Sequence, residues 1–286
     1  MKILVLGSNG FIGRNIVEYL EPKDYVVLSP KRQELNLLDT EGVEAYIKEH
    51  CPDVVVFSAV NIQSLSDNLQ MYFNVERCSD HFGKMITIGS GAEYDMRHYY
   101  PMMTEDYFGH HVPCDTYGLS KYVMSNDIEK KPRNIVNLRV LGIFGKYEDY
   151  TRRFISNNIC KSLAGLGVTI NQDMKFDFIY VQDFIKILEM FFTKETKYRN
   201  YNICTAQPLG LLEIANVICE VLPHDETVTV KEEGQKPEYS ADNARFRAEF
   251  GDFSFTDIKD SVRELYQWYA NHPDLEEYCA KLREAE

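Results

Sequence analysis

The stretch Gly7-Ser8-Asn9-Gly10-Phe11-Ile12-Gly13 follows Met1-Lys2-Ile3-Leu4-Val5-Leu6 and precedes Arg14-Asn15-Ile16-Val17-Glu18-Tyr19-Leu20. The residues before it read as a short buried strand, and those after it open an amphipathic helix. Three glycines at intervals of three meet three demands at such a junction. The first permits a tight turn, the second lets backbone N–H groups approach a pyrophosphate, and the third lets the new helix pack closely on the strand. The phosphates then face a helix N-terminus, where free N–H groups and the dipole favour an anion. A glycine-rich turn without a ligand has the same composition. The strand before and the helix after make this one a dinucleotide loop, with Gly7, Asn9, Gly10, Phe11, Ile12 and Gly13 as candidate contacts.

Beyond the loop, Tyr25–Leu28, Val54–Phe57, Met85–Ile88 and Ile135–Val140 are short, β-branched and near-continuously apolar. Strands buried on both faces of a parallel sheet have this composition. Helical patterns lie between them, at Gly10–Leu20, Thr40–His50, Leu69–Phe82 and Tyr117–Lys130, and Asp39 is a candidate cap for the second. This alternation predicts an α/β protein with a doubly wound parallel Rossmann sheet. The second half is less regular. It carries helical patterns at Arg152–Leu163, Gln182–Phe192, Leu211–Val221 and Asp257–Trp268, a strand at Asp177–Val181 and a charged loop at Lys231–Lys236. The expected division is a dinucleotide-binding domain over 1–150, with 176–200 returning to it. A smaller, partly interleaved C-terminal substrate lobe takes 151–175 and 201–286.

A net charge of −13 over 286 residues argues against nucleic acid, whose phosphates need clustered Lys and Arg. A local basic pocket for a small anion remains compatible with it. The seven cysteines are odd in number, scattered and without a CxxC pair, as in a reducing compartment. No stretch approaches the ~20 apolar residues of a membrane span. The expectation is a cytoplasmic protein without a membrane partner. His110-His111 with Cys114 has irregular spacing for zinc, and no metal is expected.

The coenzyme's adenosine ribose is read after the second strand. An acidic residue there would favour NAD. This chain has Lys31 and Arg32, with no carboxylate before Glu34. Two cations suit a 2′-phosphate, so NADP is preferred and NAD is the alternative; solvated loop charges are the bland reading. Tyr117 and Lys121 stand four apart and share a helix face. A cation beside a phenol favours the phenolate and lowers a pKa that is otherwise about 10. Such a tyrosine can protonate an alkoxide as hydride reaches a carbonyl carbon. With 19 tyrosines in the chain, the spacing alone would be weak.

Together these motifs resemble the extended short-chain dehydrogenase/reductase family of nucleotide-sugar epimerases, dehydratases and reductases. The likeness extends along nearly the whole chain. Ser58-Ala59-Val60 stands where the family lines the coenzyme beside its fourth strand. Asn36-Leu37 stands at the adenine-contacting turn, with Asn36 replacing the usual Asp. Gly89-Ser90-Gly91-Ala92-Glu93-Tyr94 matches the segment that carries the catalytic Ser or Thr, and Leu138-Arg139-Val140, Phe176–Asp183 and Tyr201-Asn202-Ile203 match later landmarks. The resemblance implies Tyr117 as acid-base, Lys121 as its ribose-binding partner and Ser90 as the hydroxyl that holds the substrate oxygen.

The departures from the pattern narrow the chemistry. The family's dehydratases place an Asp-Glu pair after the Thr, where this chain has Gly91-Ala92. The GDP-fucose synthase branch has a cysteine at the Ala92 position, and alanine cannot exchange a proton beside a ketone. Glu93 is a substituted base in one reading and a carboxylate in a solvated cleft in the plainer one. It stands with Arg152, Arg153 and Lys175 as a candidate substrate contact, Lys146 being a further cation nearby. Phe176 occupies a place where the family often has arginine. What the resemblance implies is an NADP-dependent reductase of a nucleotide-linked 4-keto-6-deoxy sugar in polysaccharide biosynthesis. An NAD-dependent 4-epimerase and a non-catalytic NADP-binding regulator are the alternatives. A homodimer built on the third and fourth helices is expected, as in many relatives.

Overall fold

The computed structural model describes residues 1–131 and 134–285. Five strands, β1 (Lys2–Leu6), β2 (Val26–Leu28), β3 (Val54–Phe57), β4 (Lys84–Ser90) and β5 (Ile135–Val140), join the strand Asn200–Ile203 in one parallel sheet. The order is Asn200–Ile203, β5, β4, β3, β1, β2. The chain runs outward from β1 to β2, then crosses back to add β3 on the other side. Ligands of open α/β sheets bind beyond the carboxyl ends of the strands at such a reversal.

Successive residues of β1 face opposite layers. Ile3 and Val5 join a core with α1 (Phe11–Leu20) and the C-terminal helices, whereas Leu4 and Leu6 join a second core with Val43 and Ile47 of α2 (Thr40–His50) and Tyr72 and Val75 of α3 (Leu65–Glu76). Burial on both faces explains why the strands read as unbroken apolar runs. Each such side chain contributes about 1.5–3 kcal/mol of hydrophobic free energy. Met124 and Ile128 of α4 (Thr116–Lys130) close the second core.

Several boundaries differ from the sequence expectation. The third helix spans Leu65–Glu76, not Leu69–Phe82. Ser64 caps it by accepting from the Asp67 N–H at 3.1 Å, and a separate 3-10 turn takes Ser79–His81. Asp39 occupies the cap position of α2, but its side chain makes no capping bond. Only Ile179–Tyr180 of the expected strand at Asp177–Val181 is extended and paired, with Ile143–Phe144. Asp177 instead turns its carboxylate to the N–H groups of Thr205 and Ala206, at 2.9 and 2.8 Å. The sheet's edge strand, Asn200–Ile203, was legible only as a family landmark. Its Tyr201 and Asn202 are buried polar-edged residues in place of a β-branched run.

Helices α5 (Phe154–Leu163), α6 (Val181–Met190), α7 (Leu211–Val221), α8 (Ala244–Phe250), α9 (Ile258–Ala270) and α10 (Leu275–Ala285) follow β5. The pair Val168–Ile170 and Val228–Val230 runs beside α5 and α7. Among the described residues, no helix is long and apolar enough to cross a membrane.

Glu148 is buried at the base of α5, where it accepts from the Ser156 hydroxyl at 2.5 Å. Burial pushes its carboxyl up to about 8, against the pull of Ser156 and of Arg153. A raised folded-state value means that the folded chain binds a proton which the unfolded chain has released. The contribution is whole below the unfolded value of about 4.5 and is lost as pH rises through 8. Glu148→Gln should therefore flatten the loss of thermal stability between pH 5 and pH 8. The expected difference at pH 8 is roughly 5–10 °C in Tm relative to the wild type, measured by calorimetry.

Candidate active site

A cleft of about 570 Å³ opens at the carboxyl ends of β1 and β3. Its walls include Gly7, Asn9 and Gly10 of the loop, Arg32, Asn36 and Leu37 after β2, and Ser58, Ala59 and Val60 after β3. Gly7 has φ +85°, and a Cβ there would lie 2.6 Å from the Ala59 nitrogen. A Cβ on Gly13 would overlap the Gly7 carbonyl oxygen and come within 2.9 Å of the Ser58 hydroxyl. Gly10 differs, because the nearest atom to its Cβ position is 3.4 Å away. Two of the glycines serve the packing of the protein itself. The third leaves open backbone facing the cleft, which is what a pyrophosphate requires. These residues fit a dinucleotide.

The structure separates the other candidate contacts. Phe11 and Ile12 pack against the sheet core, not into the cleft. Arg32 lines the cleft; Lys31 does not, and its backbone N–H donates to the Glu34 carboxylate at 2.7 Å. The Asn36 side chain accepts from the Leu38 N–H, and the Ser58 hydroxyl donates to the Leu6 carbonyl at 2.7 Å, tying β3 to β1.

The triad lies where β4 ends and α4 begins. Ser90 closes β4 and caps a tight 3-10 turn, Gly91–Tyr94. Asp115 caps α4 by accepting from the Gly118 N–H at 2.8 Å, which places Tyr117 in the first turn. A Cβ on Gly118 would lie 2.8 Å from the Ala92 carbonyl, so glycine lets the two elements touch. Ser90 adjoins the Tyr117 phenol, and its hydroxyl favours the ionised form of that phenol. Lys121 is buried, its Nζ 5.9 Å from the centre of the Tyr117 ring, and it donates to the Ile88 carbonyl at 2.7 Å.

The electrostatics correct one expectation. Burial pushes the Tyr117 phenol above its ordinary value; the neighbouring Ser90 hydroxyl and the charge of Arg153 pull it down, while Glu93 and Asp115 push it up. Lys121 is itself lowered to about 8 by burial, with Glu93 pulling the other way. Tyr117 is therefore a neutral acid across the physiological range, not a phenolate.

Glu93 is the second correction. It is completely buried, with no face towards a solvated cleft and no access to substrate. Its Oε2 accepts from the Arg139 Nε at 2.7 Å and its Oε1 from the Ser90 N–H at 2.9 Å. Of the other cations, Arg152 and Arg153 are exposed at the start of α5, and Arg153 acts electrostatically on Tyr117. Lys175 is exposed on the extended pair Lys175–Phe176, and Lys146 is committed to Glu18 at 2.8 Å. Two tyrosines escaped the sequence reading. The Tyr99 hydroxyl donates to the Gly91 carbonyl at 3.2 Å. Tyr239 packs on Tyr99 in a tilted arrangement, ring centres 4.9 Å apart, and fills the space where a Gly91 side chain would stand. Both come from irregular segments that carry no periodic signal.

The model of the NAD dependent epimerase/dehydratase family matches residues 3–204. The chain belongs to that family. It is an NAD(P)-dependent oxidoreductase or epimerase of the extended short-chain dehydrogenase/reductase type. The chain is 23% identical over 306 residues to GDP-L-colitose synthase of Yersinia pseudotuberculosis, covering 95% of this chain and 98% of that one. A GDP-L-fucose synthetase from Naegleria fowleri superposes with a TM-score of 0.82 at 15% identity, covering 95% and 93% of the two chains. A GDP-mannoheptose C4 reductase from Campylobacter jejuni, with NADP bound, gives 0.78 at 20% identity, covering 94% and 98%.

The glycines give a test that separates packing from binding. Gly13→Ala should destabilise the fold by about 1–3 kcal/mol, as overpacking does. Gly10→Ala should leave the urea midpoint close to wild type while weakening coenzyme binding measured by nucleotide fluorescence. Equal effects on both properties in both variants would refute this division.

Proposed function

We propose that the protein is an NADP-dependent reductase of a nucleotide-linked 4-keto-6-deoxy sugar. The observation that carries the reading is Tyr117 set between Ser90 and Lys121, with the Lys121 Nζ 5.9 Å from its ring centre, against a turn in which Gly91 and Ala92 offer no acid or base. A site with one proton donor and no second acid-base pair suits net reduction. The GDP-sugar names of the curated relative and of the aligned structures favour a GDP-linked substrate.

In this reading the N-terminus of α1 at Gly10 would hold the coenzyme's pyrophosphate, and Arg32, which lines the same cleft, would pair with its 2′-phosphate. NADPH, when bound, would supply the hydride that C4 receives. Ser90 donates a hydrogen bond to the C4 carbonyl oxygen, and Tyr117 gives that oxygen its proton as negative charge develops. Lys121, whose ammonium has donors beyond the one given to the Ile88 carbonyl, would hold the nicotinamide ribose. Arg153, beside the phenol, is the favoured cation for the substrate diphosphate, with Arg152 and Lys175 further along the second lobe (residues 151–175 and 201–286). We further propose a homodimer through α3 and α4, a role in polysaccharide biosynthesis, and action in the cytoplasm.

Two experiments test this. Purified protein should oxidise NADPH with GDP-4-keto-6-deoxy sugars, and Tyr117→Phe should lower kcat by about 10²–10⁴-fold while leaving NADPH affinity near normal. Turnover retained by Tyr117→Phe would sink the mechanism, and near-stoichiometric NAD released on denaturation would favour a 4-epimerase. The second experiment is a pH series. The Lys121 ammonium is present below about 8 and lost above it, so NADPH affinity should fall above that pH, by up to about tenfold per unit. Lys121→Met should bind weakly and show no such slope.

A further inference from the structure

A carboxylate with no exposure is costly unless paired, and an apolar pair of similar volume can serve a core as well or better. The buried Glu93–Arg139 pair therefore needs a reason beyond stability. The surroundings are shaped for it. Arg139 lies on β5 in register with Gly89 on β4, and a Cβ on Gly89 would come within 2.5 Å of the Glu93 Oε1. Asn137 donates to both Glu93 oxygens at 3.2 Å. The remaining Arg139 nitrogens donate to the Tyr94 hydroxyl at 2.9 Å, Asn202 Oδ1 at 3.3 Å and the Ser125 hydroxyl at 3.1 Å. A carboxylate held this firmly fixes what it holds in turn, and that is the Ser90 backbone N–H.

We propose that Glu93, locked by Arg139, is a positioning residue: through the Ser90 N–H it fixes where the Ser90 hydroxyl stands beside Tyr117, and it sets the buried charge that Tyr117 faces. The inference rests on the reductase reading above. Glu93 touches neither solvent nor substrate, yet its negative charge favours the protonated forms of both Tyr117 and Lys121. The other charges facing Tyr117 are Asp115, which acts in the same sense, and Arg153, which opposes it; Lys121 and the neutral phenols of Tyr99 and Tyr239 stand nearby. Facing Glu93 are Arg139, Lys121, Tyr117 and Tyr239, with Glu105 acting on Arg139 from the far side. A positive charge in place of Glu93 would turn the same phenol towards phenolate, the form that accepts a proton during oxidation.

The test reads Tyr117 directly, by NMR of protein labelled at the tyrosine ζ carbon, with the resonance assigned by its absence in Tyr117→Phe. In the wild type it should report a neutral phenol to above pH 10. Glu93→Gln keeps the acceptor for the Ser90 N–H but removes the charge, and should titrate about one pH unit lower. The alkaline limb of kcat at saturating NADPH should move with it, while NADPH affinity at pH 6, where Lys121 keeps its ammonium, stays within about twofold of the wild type. A purely structural role would lower stability and kcat without moving either titration. The double variant Glu93→Met with Arg139→Met removes both charges at similar volume and carries the comparison if Glu93→Gln fails to fold. A wild-type phenolate below pH 10, or an unmoved midpoint in a folded variant, overturns the proposal. A midpoint that moves in a protein oxidising no NADPH with any keto sugar upholds the positioning role of Glu93 and overturns the reductase reading alone.

Discussion

Helix α1 starts against the carbonyl of Gly7 with only a hydrogen atom on Gly13 between them. That contact fixes how far the helix N-terminus stands from the ends of β1 and β3, and so where an anion can sit. The left-handed backbone of Gly7 turns the chain there, and the Ser58 hydroxyl ties β3 to the last residue of β1. The cleft walls follow from these few contacts, because each wall segment leaves a strand whose position the sheet has already set. Were the helix displaced by one methyl group, the loop could not point its N–H groups into the cleft.

The triad has its own foundation, at the end of β4. Two strands further along the sheet, Ser90 leaves β4 and enters a turn pinned from beneath, while α4 approaches from the side through Gly118. Tyr117 and Lys121 are both drawn towards their neutral forms, one as a phenol and the other as an amine, because burial penalises each charge. The expectation of a phenolate stabilised by the lysine took account of the pairwise charge but not of desolvation. In this protein desolvation is the larger effect. The lysine proton also has a use already, in a hydrogen bond to Ile88.

What the sequence made legible follows physical rules of short range. The strand-to-helix junction at Gly7–Gly13, the both-face burial of β1 and β3, and the Tyr117–Lys121 spacing are all encoded within a few residues. The start of α3 was missed because its cap, Ser64, lies outside the apolar pattern that marked the helix. The edge strand Asn200–Ile203 was obscure because asparagines fill a strand whose polar groups are satisfied only in the assembled fold, Asn202 by the Tyr94 hydroxyl among others. Glu93 was misread for the same reason: its partner, Arg139, is on another strand, and nothing within the local stretch distinguishes a buried carboxylate from a solvated one.

Tyr239 reaches the turn after Ser90 from a distant part of the chain, its ring carbon Cζ 2.8 Å from where a Gly91 Cβ would stand. Its backbone is fastened on both sides, by its own N–H to the Lys175 carbonyl at 2.9 Å and by its carbonyl to the Asp177 N–H at 3.0 Å, so the main chain that carries the ring is held in place. Positions 91 and 239 therefore compete for one volume. A side chain at 91 needs the Tyr239 ring to swing aside or a smaller residue at 239, so the two substitutions would not be independent of one another.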